Sequence, residues 1–135
     1  MVSKMEKIIH KGKLVALKVS SMEDGSMPVM PPEAALQVLT LKHPKGRRVT
    51  PHLHVPHRRE TDILQECLVV IRGKLRITFF DEEDGSAFAH IDLSSGETCV
   101  TLSGPHGVEF LEDSEVIEVK NGPFIDDKKP FSSRI

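Results

Sequence analysis

Residues 46–73 read GRRVTPHLHVPHRRETDILQECLVVIRG, and this stretch decides the fold. Its last part, ECLVVIR at residues 66–72, is dense in β-branched and apolar residues and stops at Gly73, the composition of a strand closed by a turn. Alternation sends Glu66, Leu68 and Val70 to one face and Cys67, Val69 and Ile71 to the other. Both faces are therefore largely apolar, and both must be covered. The middle part carries His52 and His54 with Leu53 between them, a spacing that puts two imidazoles on one face of an extended chain. Neutral imidazole is the commonest ligand of transition metals, although an isolated His-x-His is weak evidence for a metal site.

Working outward, the segments between turn signals stay short and rich in Val, Ile, Leu, Phe and Thr. Strands are expected over residues 13–19, 36–42, 66–72, 75–80, 88–93, 98–102 and 116–120. Asp24-Gly25, Pro44-Lys45-Gly46, Arg72-Gly73, the stretch 81–85 and Gly104-Pro105-His106-Gly107 supply the turns between them. Many short strands at such spacing predict an all-β sandwich or barrel in a single domain spanning 1–135. Within it, residues 1–32 are read as N-terminal strands and a loop, about 33–122 as the barrel core, and 123–135 as a surface tail anchored by Phe131. A barrel covers the inner face of strand 66–72. Its outer face then needs an N-terminal strand or a second subunit, which predicts a homodimer, with cover by residues 1–20 of the same chain as the alternative.

Composition excludes several classes. Eighteen Lys and Arg stand against twenty Asp and Glu, so nothing draws a phosphate backbone and a nucleic-acid partner is not expected. The longest apolar run, residues 67–71, is far short of a membrane span, and residues 1–13 lack the apolar stretch of a secretory signal, which predicts a cytoplasmic protein without a membrane partner. Cys67 and Cys99 form no Cys-x-x-Cys and fit reduced thiols. No phosphate-binding loop, dinucleotide fingerprint, zincin helix or nucleophile elbow occurs.

Taken together, the central stretch can be written G-x5-H-x-H-x11-E-x6-G, from Gly46 through His52, His54 and Glu66 to Gly73, with His106 following a later turn. This resembles the cupin superfamily, whose first motif has the same order with a shorter gap before the glutamate. A longer loop, 55–65, would then bulge at the barrel mouth. The second motif is looser, with Thr101-Leu102-Ser103-Gly104-Pro105-His106 in place of the usual P-x-G-x-x-H, and Phe110 where an Asn is usual. A narrower resemblance over residues 51–131 is to small single-domain cupins of polysaccharide and nucleotide-sugar gene clusters, close to the WbuC-like cupin-fold metalloproteins. It rests on His52-x-His54, Arg59, Gln65-Glu66, Gly73-Lys74, His106-Gly107, Leu111-Glu112-Asp113 and the run from Ile117 through Gly122-Pro123-Phe124.

That resemblance implies an antiparallel jelly-roll β-barrel in which His52, His54, Glu66 and His106 bind one divalent transition metal. Three imidazoles and a carboxylate suit Fe, Mn, Ni, Co or Zn. Glu60 is a rival for the carboxylate ligand, and His57 and Glu60 are the candidates for acid/base catalysis. Arg59 is the candidate for binding a carboxylate or phosphate of a small-molecule ligand. Gln65 and Cys67 are expected to turn away from the metal, and Phe79, Phe80 and Phe110 are the rings available for stacking. The function expected is Lewis-acid chemistry on a small polar metabolite such as a sugar or nucleotide-sugar derivative, isomerisation ahead of oxygenation. The alternatives are a non-catalytic ligand-binding module and metal-free proton transfer by a His and a carboxylate.

Overall fold

The structure, a computed structural model, describes residues 5–134; residues 1–4 of the expected N-terminal region and Ile135 of the expected tail lie outside the described residues. The described chain is all-β and antiparallel. Its strands are β1 (Met5–His10), β2 (Lys13–Val19), β3 (Gly25–Pro28), β4 (Leu39–Lys42), β5 (Glu66–Arg72), β6 (Lys74–Phe80), β7 (Ala87–Ser94), β8 (Thr98–Thr101), β9 (His106–Phe110) and β10 (Glu115–Lys120). They form a five-stranded sheet ordered β1-β2-β8-β5-β10, a three-stranded sheet ordered β7-β6-β9, and the separate β3-β4 hairpin. Of the segments read from sequence, 36–42 is shortened to β4, because residues 31–36 form a turn in which Ala34 N–H donates to the Pro31 carbonyl at 3.0 Å.

Alternation builds the core. Leu68 and Val70 of β5, Ala16 of β2 and Cys99 of β8 point from the larger sheet toward Leu75, Ile77 and Phe79 of β6 and Ile91 and Leu93 of β7. Phe79, Leu75, Ile77, Leu93 and Val70 lose all contact with solvent there. Burying each contributes about 1.5–3 kcal/mol relative to leaving it exposed. On the opposite face of the larger sheet, Leu17, Cys67 and Val100 pack under Met30 and Leu36, with Val29, Ala34 and Val38 around them.

This second cluster answers the question raised by the doubly apolar strand. Residues 5–19 do not cover the outer face of β5; they extend its sheet edgewise as β1 and β2, while the stretch 29–38 lies across it. The cover is incomplete, and Ile71, Ile117 and Val119 on the same face stay about half exposed. Gln65 fastens the cover. Its side-chain Oε1 accepts the Leu36 N–H at 3.0 Å and its Nε2 donates to the Leu102 carbonyl at 3.4 Å, while Asn121 Oδ1 accepts its backbone N–H at 2.9 Å.

The sheets are not closed into a barrel. From the turn at 111–114, β9 pairs with β6 and β10 pairs with β5, so consecutive strands enter different sheets and their facing edges do not pair with each other. Gly73, the last glycine of the central motif, sits where β5 turns into β6 beside that turn. Its φ is +98°, and a Cβ on it would overlap Ser114 Oγ and lie 2.6 Å from the Asp113 carbonyl oxygen. Only glycine meets both conditions.

Candidate functional site

Glu66 opens β5 on the inward face, in step with Leu68 and Val70, and His106 opens β9 directly opposite Phe79 of β6. The two residues thus come from different sheets and meet at one end of the sandwich, with His106 Nε2 3.2 Å from Glu66 Oε1. Their side chains are 25% and 17% exposed, which leaves solvent access at a site flanked by core. The Gly104 carbonyl lies 3.4 Å from His106 Nδ1 and accepts its proton, so Nε2 is the nitrogen turned to the carboxylate.

A third group belongs to the cluster. Val116, Glu118 and Lys120 of β10 share the inward face, and in the ladder Glu118 stands opposite Leu68 and Lys120 opposite Glu66. The His106 hydrogen bond, helped by a hydrogen bond from Glu118, pulls the Glu66 carboxyl down to about 2. The same Glu66 bond raises His106 against the opposing effect of burial, and Glu118, hydrogen-bonded to the Glu66 carboxylate, is pushed above the usual carboxylate range. The arrangement favours an ionised Glu66, a protonated imidazole and a proton retained on Glu118. Glu118 is the site residue that sequence reasoning missed. Its signal was the period of two from Val116, which places Glu118 on the inward side of the last strand.

The remaining expected residues lie on the irregular stretch between β4 and β5, whose side chains from 43 to 64 are exposed. His52 and His54 stay neighbours, with ring centroids 5.1 Å apart in an edge-to-face arrangement, and His52 Nδ1 meets the Thr50 carbonyl at 2.8 Å. They are not gathered with Glu66 and His106. Among the described residues no group of three or more His, Cys, Asp or Glu is arranged to hold a metal ion. The donors fit a transition metal by type, but as arranged they form two separate pairs. Glu60, the rival ligand, is in an exposed ion pair with Arg58, and Arg59 donates to the His57 carbonyl at 3.3 Å. Of the rings available for stacking, Phe79 and Phe80 are buried and only Phe110, at the far end of β9, is open to solvent.

Cys67 and Cys99 are free and buried, and burial pushes the Cys99 thiol up to about 12, which makes it a packing residue. Among the described residues no helix is long and apolar enough to cross a membrane. Comparison with family models, with curated proteins and with solved structures found no match to this chain.

Proposed function

We propose that the chain is a metal-binding cupin in which Glu66 and His106 form one half of a mononuclear site and His52 and His54 the other. The observation that carries this reading is the meeting of Glu66 and His106 at 3.2 Å across two sheets, at the end from which the His52–His54 segment departs. Strand order supports it further. The runs β10-β5-β8 and β9-β6-β7 are what two facing sheets of a jelly roll contain, short of one strand beside β9. The free edge of β9 and the unpaired stretch around His52 complement each other. Pairing residues 50–56 along that edge would close the sheet and bring both imidazoles beside His106, while Leu53 and Val55, now 81% and 68% exposed, would lose solvent contact.

A divalent metal held there would act as a Lewis acid, polarising a carbonyl or hydroxyl of a small polar metabolite such as a sugar derivative. Around it, Glu118, its carboxyl raised by the hydrogen bond to Glu66, stands beside the pair, and Lys120, opposite Glu66 in the ladder and 3.9 Å from Glu118, is a cation for an anionic ligand. A second copy covering Ile71, Ile117 and Val119 completes the reading as a homodimer.

The test is the metal content of untagged protein by elemental mass spectrometry, beside the His52→Ala, His106→Ala double variant. Near-stoichiometric metal in the wild type that vanishes in the variant is the expected result. A wild type that holds no metal and takes up none sinks the reading. The direct His106–Glu66 contact favours a second reading, a metal-free proton-transfer pair, in which imidazole and carboxylate pass one proton to and from a bound metabolite. Turnover that survives chelation and the loss of His52 but not of Glu66 would select it.

A further inference from the structure

The C-terminal segment is anchored at two places near the Glu66–His106 pair. It leaves β10 at Lys120, the ladder partner of Glu66. It ends beside the β6–β7 turn, where Arg134 N–H donates to the Gly85 carbonyl at 2.6 Å and Arg134 forms a parallel bridge with Ser86. A Cβ on Gly85 would lie 2.7 Å from the Ser132 carbonyl oxygen, so the segment is seated closely on that turn. Just before this seat, the Phe131 ring packs on Phe80 with centroids 6.2 Å apart, and the Phe80 N–H donates to the Pro105 carbonyl next to His106. Between the anchors, Lys128 is near enough to Glu118 to act on its carboxyl electrostatically. The residues from 123 to 130 are otherwise exposed.

We propose that residues 121–134 are a strap over the Glu66–His106 pair, latched by Phe131 on Phe80 and by Arg134 on Gly85, and that release of the latch exposes the pair. The latch is weak by construction. Phe131 keeps 39% of its surface in solvent, and the pairing at the end is a single bridge. Such an element lies at the low-stability end of a fold, where local opening occurs without unfolding the sheets. The strap stands independently of whether the pair holds a metal.

Acylation of histidines by diethyl pyrocarbonate, followed residue by residue by peptide mass spectrometry on chelator-treated full-length protein, reads the opening directly. In the wild type His106 should react slowly relative to His52 and His54, which sit on exposed chain. Phe131→Ala should speed modification of His106 severalfold and leave His52 and His54 unchanged. Arg134→Pro, which removes the N–H held by Gly85 at an exposed position, should do the same to a smaller degree. Acceleration at every histidine in Phe131→Ala would report unfolding of that variant, and Arg134→Pro then decides. An unchanged His106 rate in the folded variants would overturn the strap.

Discussion

His106 Nε2 and Glu66 Oε1 stand 3.2 Å apart although one residue begins the edge strand of the smaller sheet and the other begins a strand inside the larger one. In metal-free protein the contact holds the imidazole protonated beyond its ordinary value of 6.5. Glu66→Gln removes the carboxylate charge, and the His106 resonance followed by NMR should then titrate at lower pH than in the wild type. A titration that does not move would mean the two groups do not interact in solution.

The same pair sets a pH window for stability. His106 is raised, so its contribution is complete below 6.5 and is lost as pH rises through its folded value; Glu66 is lowered, so its contribution is present above 4.5 and is lost as pH falls toward about 2. Glu118, raised by its bond to Glu66, subtracts from stability as pH climbs through its own folded value. The stability lost in Glu66→Gln, measured by denaturant unfolding of metal-free protein, should be largest between 4.5 and 6.5 and shrink on both sides. A difference that is flat with pH would contradict this.

Gly73→Ala should destabilise the fold by at least about 1–3 kcal/mol, the cost of a non-glycine residue at such a backbone angle, with the overlap on Ser114 added to it. Gly12→Ala in the β1–β2 turn has the same kind of backbone cost but meets nothing within 4 Å. Chemical denaturation should therefore rank Gly73→Ala as the more damaging of the two.

Gln65→Ala takes away the acceptor of the buried Leu36 N–H and the donor to Leu102. The expected loss is about 1–3 kcal/mol. Its signature is local, with faster amide exchange across residues 29–38 while the strands of the smaller sheet keep their protection.

Asp81 joins the β1–β2 turn to the β6–β7 turn. His10 Nε2 meets its Oδ2 at 2.7 Å, Lys11 Nζ lies 2.9 Å from the same oxygen, and Oδ1 accepts the N–H groups of Glu83 and Asp84. Led by the His10 bond, these hold its carboxyl below the ordinary 3.8, so the stability it adds is present above that pH and is lost as acid protonates it. Asp81→Asn should lower the melting temperature by several degrees at neutral pH, with the gap from wild type closing in strong acid.

Ile117→Lys places a charge in the middle of the uncovered face of the larger sheet. If a second copy covers that face, sedimentation should give a dimer for the wild type and a folded monomer for the variant. A wild type that sediments as a monomer would refute the homodimer.

The sequence by itself determined the elements whose signals are local. The runs of β-branched and apolar residues in 66–72, 75–80 and 116–120, and the turn residues at Asp24-Gly25 and Arg72-Gly73, mark strands and their ends wherever the partners lie, because strand propensity and glycine's backbone freedom are properties of a few consecutive residues. Strands β1, β3 and β9 were less legible: Met5–His10 carries charges at its edge position, Gly25–Pro28 is turn-like in composition, and His106–Phe110 follows a glycine-rich turn. The anchoring of the tail by Phe131 follows from what an aromatic ring gains by packing on another, here Phe80, although Phe124 in the same segment stays 82% exposed and only the tertiary structure told the two apart. Only tertiary structure decided which strands became neighbours. It put Glu66 against His106, added Glu118 to them, laid residues 29–38 over β5 and led the C-terminal segment back to Gly85. Those outcomes depend on which distant surfaces exclude water together, and no property of a short stretch of chain encodes its partner.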